Sequence, residues 1–129
     1  MPEWRPPPEY LEFLTVPRIA SMALALRDGR IHQTPVKMAL DIGSGLAVVL
    51  TSSKSVKARR IRGAGGLARV ALGEHSSTLW VTLEGPATVV ADSERVEWAR
   101  DVYARRFGRR STWGDCVVQV CVENVLYGT

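Results

Sequence analysis

The sequence predicts a mainly β fold, an antiparallel β-barrel of about six strands to which two or three helices are added. Short runs of branched residues, such as Leu46–Thr51, alternate with tight-turn signals such as Asp28-Gly29, which is typical of hairpin-connected strands. A long amphipathic helix is indicated only over residues 92–107. The length of 129 residues, with 46% hydrophobic and 23% charged residues, fits one soluble globular domain.

The predicted elements follow one another through short connections. Strands are predicted over residues 19–26, 31–39, 46–51, 67–72, 78–90 and 116–122. Helices are predicted over residues 9–16, 53–61 and 92–107. Residues 1–15 therefore form a leader with a short helix, and residues 16–129 form the barrel domain.

Turn and breaker residues mark where the strands end or bend. Gly29 supplies the positive φ that a tight hairpin needs. Pro35 within its strand indicates an edge, a bulge or a ligand-facing break, because proline has no N–H to donate. Glu84-Gly85-Pro86 predicts that the strand over 78–90 is interrupted by a bulge or a sharp bend.

The long helix and the last strand each have a recognisable pattern. Asp92 or Ser93 is the expected N-cap of the helix and Gly108 its stop. The expected buried face consists of Val96, Ala99, Tyr103 and Phe107. The helix dipole accounts for the basic residues at its end without a ligand, namely Arg105, Arg106, Arg109 and Arg110. In the strand over 116–122, valines alternate with polar residues, which predicts one buried and one exposed face.

Positive charge is concentrated in one segment. The chain has 17 basic and 13 acidic residues, a net charge of +4. Six cations occur without an acid between residues 54 and 69, namely Lys54, Lys57, Arg59, Arg60, Arg62 and Arg69. This cluster fits a phosphorylated or polyanionic ligand. A solvated helix surface without a ligand is the alternative.

Several classes of protein are disfavoured. No segment has the roughly 18 consecutive apolar residues of a membrane span, and the N-terminus lacks the pattern of a signal peptide. His32 and His75 have no partners at metal-ligand spacing, so no metal site is expected. Cys116 and Cys121 lie five residues apart on one predicted strand and face opposite ways, which predicts free thiols and a reducing, cytoplasmic compartment.

The segment from Thr51 to Lys57 has the chemistry of an anion site. A buried strand ends there, hydroxyl residues follow, and a helix begins with free amide donors. A phosphate is held in such places by helix N–H groups, hydroxyls and a lysine. A capped surface helix has the same pattern, and the spacing alone leaves both interpretations open.

Six segments occur in the order typical of one known family. They are residues 18–29 with Asp28-Gly29, His32-Gln33-Thr34-Pro35-Val36, Thr51 to Lys57, Arg69-Val70-Ala71-Leu72, Trp80-Val81-Thr82-Leu83-Glu84-Gly85, and the helix from Asp92. Over about 110 of the 129 residues the chain resembles the flavin-binding split β-barrels, the pyridoxamine 5′-phosphate oxidase-like proteins. It is most similar to the actinobacterial branch that uses a deazaflavin, coenzyme F-420, in place of FMN.

This resemblance implies a six-stranded antiparallel split β-barrel of the FMN-binding type. It also implies a homodimer with one cofactor in each of two grooves at the subunit interface. The residues that it assigns are Thr51, Ser52, Ser55 and Lys57 for the cofactor phosphate, Lys54 and Arg60 for a polyglutamate tail, Thr34, Pro35 and Val36 for the ring system, and Trp80 for closing the pocket.

Two departures from the family pattern favour the deazaflavin over FMN. Val56 stands where FMN-binding oxidases often carry an arginine, and Arg59-Arg60-Ile61 replaces the usual Arg-Asn-Leu. The expected function is hydride transfer from the reduced cofactor to a conjugated organic acceptor, such as an enone, a quinone or a tetrapyrrole. No catalytic residue is assigned, because the cofactor performs the chemistry.

Three alternatives remain open. One is an FMN-dependent pyridoxamine phosphate oxidase-like enzyme, although the C-terminus lacks the arginine-rich end of those oxidases. Another is a protein that binds a flavin, a deazaflavin or haem without turnover. The third, a nucleic-acid-binding barrel, is disfavoured because the polar strand faces lack paired aromatic residues for base stacking.

Overall fold

The structure is a computed structural model that describes residues 5–129. The first four residues of the predicted leader lie outside this part. The helices are α1 (Pro8–Phe13), α2 (Val56–Gly63) and α3 (Ser93–Phe107). The strands are β1 (Ala20–Ala25), β2 (Ile31–Val36), β3 (Ala39–Asp41), β4 (Leu46–Thr51), β5 (Arg69–His75), β6 (Trp80–Val90), β7 (Cys116–Cys121) and β8 (Asn124–Gly128).

The strands form one antiparallel sheet in the order β2-β1-β5-β6-β7-β4-β3, with β8 paired to β6. The strands at the two ends of this order, β2 and β3, are separated in sequence only by Lys37 and Met38. The sheet must therefore curl until its two edges nearly meet, which makes it a split barrel. The predicted fold class is confirmed. Because β3 pairs only with the first half of β4, the end of β4 faces β2 across the split, and the candidate site lies there.

Two differences go beyond shifts at the ends of elements, and they give eight strands where about six were expected. The strand predicted over 31–39 is divided into β2 and β3, because the chain crosses from one sheet edge to the other at Lys37. Pro35 lies in β2, an edge strand, as its missing N–H predicts. The second difference is β8, which no prediction covered and which pairs with β6 through Leu83 and its neighbours.

The long strand β6 is not interrupted at Glu84-Gly85-Pro86, so that prediction was wrong. Instead, β6 changes partners there. It pairs with β8 up to Glu84 and with β7 from Ala87 onwards. A Cβ atom on Gly85 would lie 1.9 Å from the carbonyl oxygen of Cys121. The glycine is needed for this close approach of two backbones, not for a bulge.

Apolar side chains form two clusters, one on each face of the curled sheet. The cluster inside the barrel is built around Met22, Met38, Leu72, Leu83, Val118 and Val120. The second cluster lies under α3 and contains Val48, Leu50, Val96, Val102 and Val117. Because α3 covers part of the outer face, β7 is buried on both sides around Val117 and Val118. The predicted burial of Val118 and Val120 is confirmed, and Gln119 is less buried than they are, but the opposite face of the strand is partly covered at Val117.

The two longer helices begin with side-chain caps. Ser55 Oγ accepts a hydrogen bond of 3.2 Å from the amide of Ala58 at the start of α2. The carboxylate of Asp92 caps α3 at the amide of Arg95, and Gly108 ends this helix with a φ of +79°. The limits predicted for α3 are thus confirmed. Among the described residues no helix is long and apolar enough to cross a membrane.

Arg106 has a role that helix-dipole complementarity does not explain, so the interpretation of its cluster was wrong at this position. Its side chain is only 4% exposed and forms an ion pair with the fully buried Glu74 of β5. The guanidinium also donates to the carbonyl oxygens of Val16 and Met38, at 2.7 and 2.8 Å. One side chain thereby ties α3 to β5 and to the segments before β1 and β3.

Both cysteines are free, as predicted.

Candidate functional site

A groove of about 440 Å³ opens at the split of the barrel. Its walls come from the end of β2, the end of β4, the first turn of α2, the middle of α3 and the loop before β7. The lining residues are Ile19, Pro35, Val36, Lys37, Leu50, Lys57, Tyr103, Ser111 and Trp113. The volume lies within the range of small-molecule and cofactor sites, which are mostly apolar with a few polar groups.

Tyr103 fixes the shape of this groove from beneath. Its phenol oxygen accepts a hydrogen bond of 2.8 Å from the amide of Leu50 and donates to the carbonyl oxygen of Lys37. Burial raises the pKa of Tyr103 well above its usual value, so the phenol stays protonated and keeps donating. The hydroxyl thus links β4 to the chain that crosses between the two sheet edges. Leu50 and Val36 beside it are buried and give the groove an apolar floor.

Lys57 is the cation at one end of the groove. It lies in the first turn of α2, two residues after the cap residue Ser55, and its side chain is half-buried. Burial lowers the pKa of Lys57, while the nearby Cys116 opposes this shift. Within residues 5–129 no carboxylate forms a salt bridge with it. A half-buried ammonium group without an acidic partner is well suited to hold an anion.

The groove continues into a second cavity of about 390 Å³ along the end of α3. Lys37, Tyr103, Ser111 and Trp113 line both cavities, and Phe107, Arg109, Arg110 and Thr112 line only the second. Arg110 is held by Glu97 and Asp101. Arg109 has no acidic partner among the described residues. Among the described residues, the extended groove therefore has three cations without a salt bridge, Lys57 and Arg109 towards its ends and Lys37 where the two cavities meet.

The hydroxyl groups of the predicted phosphate segment already have hydrogen-bond partners within the protein. Thr51 is fully buried, and its hydroxyl lies 3.2 Å from that of Ser55. Ser52 Oγ accepts from the amide of Lys54. Asp115 holds Ser53 through both the amide, at 2.7 Å, and the hydroxyl, at 3.0 Å. These bonds fix the shape of the segment and set the position of Lys57.

The structure brings together only part of the predicted site. Pro35, Val36 and Lys57 line the groove, and Thr51, Ser52 and Ser55 belong to the segment that leads into its Lys57 end. The other four predicted residues lie elsewhere. Thr34 lines a neighbouring opening with Gln33 and His75, Lys54 is exposed outside the groove, Arg60 lines a separate cavity beside α2, and Trp80 begins β6 against Gly128.

Six lining residues were missed by the reasoning from sequence, namely Ile19, Lys37, Leu50, Tyr103, Ser111 and Trp113. Tyr103 was predicted only as a core residue, and the hydrogen bonds of its hydroxyl depend on a chain segment 66 residues away. Trp113 and Ser111 lie in an irregular loop after α3 that no prediction covered. Trp113 is 62% exposed. The only local signal was Trp113 itself, a large aromatic residue in a polar, basic loop. Such residues are found in ligand-binding loops, but they also occur on surfaces that bind no ligand.

The comparisons with known proteins agree with this geometry. A family model with the description Pyridoxamine 5′-phosphate oxidase matches residues 6–120, most of the chain. The chain belongs to the pyridoxamine 5′-phosphate oxidase family. This family includes oxidoreductases, and its fold is one that binds FMN.

Solved structures of the same fold come from several bacteria. The conserved hypothetical protein Rv2991 of Mycobacterium tuberculosis has a TM-score of 0.72 at 20% identity, covering 95% of this chain and 84% of that one. The pyridoxamine 5′-phosphate oxidase-related, FMN binding protein of Nostoc punctiforme has a TM-score of 0.63 at 12% identity, covering 92% and 76%. General Stress Protein 26 of Bacillus anthracis has a TM-score of 0.64 at 16% identity, covering 91% and 88%. No curated protein matches the sequence.

The groove has the properties that a flavin-type cofactor of this oxidase family requires. A planar ring system needs apolar surfaces, which Val36, Leu50 and Trp113 supply. A phosphate needs a cation that no carboxylate already neutralises, which Lys57 supplies. The residues present therefore fit a flavin or a deazaflavin.

Proposed function

We propose that this protein is an oxidoreductase that uses the deazaflavin coenzyme F-420 and that the groove at the barrel split holds this cofactor. The proposal rests on one observation: the groove has an apolar floor, with Lys57 at one end and Arg109 towards the other end. A long groove with cations towards both ends suits a more extended anion than FMN. The departure at Val56 from the FMN-type pattern supports the same choice.

Each part of the groove has a distinct task in this proposal. Lys57 binds the cofactor phosphate, with Thr51, Ser52 and Ser55 shaping the segment around it. Pro35 and Val36 lie against the ring system. Thr34 and Trp80 lie outside the groove, so contacts from them would come through a second copy of the chain. Lys54 would reach only a part of the cofactor that leaves the groove.

The chain contributes binding, orientation and exclusion of water. When bound, the reduced deazaflavin supplies a hydride for a conjugated organic acceptor such as an enone, a quinone or a tetrapyrrole. Leu50 and Val36 keep water away from the inner face of the ring. Tyr103 holds the wall of the groove in place through Leu50 and Lys37, and the open side of the groove remains for the acceptor.

The test is a titration of the purified protein with oxidised F-420 and, in parallel, with FMN, followed by tryptophan fluorescence. We expect selective micromolar binding of F-420 and strong quenching, because Trp113 lines the groove. The variant Trp113→Phe should lose most of the quenching, whereas Trp98→Phe, which alters a tryptophan outside the groove, should keep it. Binding of neither cofactor would refute the proposal.

A second candidate is an FMN-dependent enzyme or FMN-binding protein. The Nostoc neighbour of the same fold is an FMN binding protein, and the family supports flavin binding. Tighter binding of FMN than of F-420 in the same titration would establish this candidate in place of the first.

A further inference from the structure

A separate cavity of about 250 Å³ lies between α2 and the end of β1. Its lining consists of Leu24, Ala25, Leu26, Arg27, Arg59, Arg60, Gly63 and Ala64, and none of these residues lines the cofactor groove. The helix α2 thus has two polar sides. Lys57 lies on the side of the groove, and Arg59 and Arg60 lie on the side of this arginine cavity.

The arginine cavity carries positive charge that the described part of the chain does not neutralise. Across residues 5–129, neither Arg59 nor Arg60 forms a salt bridge with an acidic residue. The nearby carboxylate of Asp28 is held by Arg30 at 2.7 Å. The pKa of Asp28 lies below its usual value, chiefly because the amide and side chain of Arg30 donate to it, with a smaller contribution from Arg60.

Capping of the helix does not explain these arginines. The residue that bonds to the end of α2 is Arg27, whose guanidinium donates to the carbonyl oxygen of Gly63 at 3.1 Å. In the described residues, neither Arg59 nor Arg60 donates to a carbonyl at that end. Their side chains are exposed and line the cavity. Three guanidinium groups at one small cavity offer more donors than a single phosphate can accept.

We propose that the arginine cavity binds a linear chain of phosphate groups, as found in inorganic polyphosphate and in nucleoside triphosphates. The planar guanidinium group donates two parallel hydrogen bonds to one phosphate, and neighbouring arginines bind successive phosphates. The site does not depend on the cofactor groove, since the two have no lining residue in common. This proposal can therefore be tested independently of the proposed oxidoreductase function.

The experiment is calorimetric titration of the purified protein with tripolyphosphate, with ATP and with a short DNA duplex, at low and at physiological salt. Tripolyphosphate should bind with an affinity that falls as salt rises. The double variant Arg59→Gln/Arg60→Gln should weaken this binding about tenfold or more. The control Arg69→Gln/Arg105→Gln removes two exposed charges elsewhere and should stay within about twofold. Melting temperatures of both double variants show whether they are folded.

The outcomes separate the possible ligands and sites. If ATP binds as tightly as tripolyphosphate, the triphosphate is the recognised unit; if tripolyphosphate alone binds, the ligand is inorganic polyphosphate. Both results support the site when the Arg59/Arg60 variant abolishes them. Loss of tripolyphosphate binding in Lys57→Ala, with full binding in Arg59→Gln/Arg60→Gln, would place the anion in the groove and overturn the proposal. Equally tight binding of duplex DNA would overturn it in favour of a nucleic-acid surface.

Discussion

Lys57 combines two properties that rarely occur together on a protein surface. It is half-buried beside the floor of the groove, yet no described carboxylate is close enough to form a salt bridge with it. Burial of an unpaired cation costs free energy, so a residue of this kind is retained where a ligand supplies the missing anion. The anion-binding role is therefore best tested at this residue.

The variant Lys57→Ala should bind the cofactor more weakly by about 1.5–3 kcal/mol, the strength of a hydrogen bond to a charged group. This corresponds to a roughly tenfold to 150-fold higher dissociation constant. The control is Arg69→Ala, which also removes one positive charge but lies outside the groove. An unchanged dissociation constant in Lys57→Ala would show that the phosphate is held elsewhere.

The pH dependence of cofactor binding should reflect the lowered pKa of Lys57. Only the protonated ammonium group attracts the phosphate, so affinity should fall as the pH rises through the pKa of this lysine. Because burial lowers that pKa, the fall should begin at a lower pH than for an ordinary lysine, near 10.4. The variant Lys57→Arg stays charged and should keep its affinity across the same range. The measurement is the dissociation constant at several pH values. The same pH profile for the wild type and for Lys57→Arg would contradict this prediction.

At the scale of the elements, β6 is the strand on which the two halves of the sheet meet. Gly85 lies where it passes from β8 to β7, against the backbone of Cys121. The variant Gly85→Ala should lower the free energy of unfolding by about 2–3 kcal/mol, because two backbone segments would have to separate. Gly43→Ala is the control, since its Cβ would meet no atom within 4 Å. Urea unfolding curves that shift equally for both variants would contradict this account.

The helix α3 is anchored by the buried pair of Arg106 and Glu74. Arg106→Met should lower the free energy of unfolding by about 3–5 kcal/mol, because it leaves a buried carboxylate uncompensated. The double variant Arg106→Met/Glu74→Met should recover part of this loss. Recovery is incomplete because the carbonyl oxygens of Val16 and Met38 lose their donor. A double variant less stable than Arg106→Met would show that the pair itself is not the cause.

The elements that the sequence predicts well are those with local signals. The helix α3 could be bounded because Asp92 and Gly108 act within one turn of its ends. The strand β8 and the division of residues 31–39 depend on partners far along the chain, and no local pattern contains them. The role of Arg106 also depends on a partner far along the chain. Its position in the last turn favours helix-dipole complementarity, and only the fold brings Glu74 to it across 32 residues.

On the scale of the whole molecule, the same distinction applies to the candidate site. The family resemblance assigns Pro35 and Val36, and the pattern of hydroxyls and a helix start over residues 51–57 points to Lys57; all three line the groove. Tyr103 and Trp113 reach it from the other end of the chain, because the curled sheet brings α3 beside the split. A sequence pattern can therefore find the part of the site on β2 and α2, but not the wall that the fold adds.

We predict that the molecule is a homodimer in solution, because large apolar side chains are exposed at the open groove. Its rim carries two large apolar side chains, Ile19 and Trp113, which are 60% and 62% exposed. Apolar groups beside an open groove are typical of surfaces that a partner covers. Light scattering at micromolar concentration should give about 28 kDa, twice the mass of one chain of 14.2 kDa.

The variant Ile19→Glu should shift the mass towards that of the monomer, because a charge cannot be buried there without a partner. Leu67→Glu is the matched control, since Leu67 is 85% exposed and lies outside the groove. A wild-type protein of 14.2 kDa would mean that one chain completes the site alone.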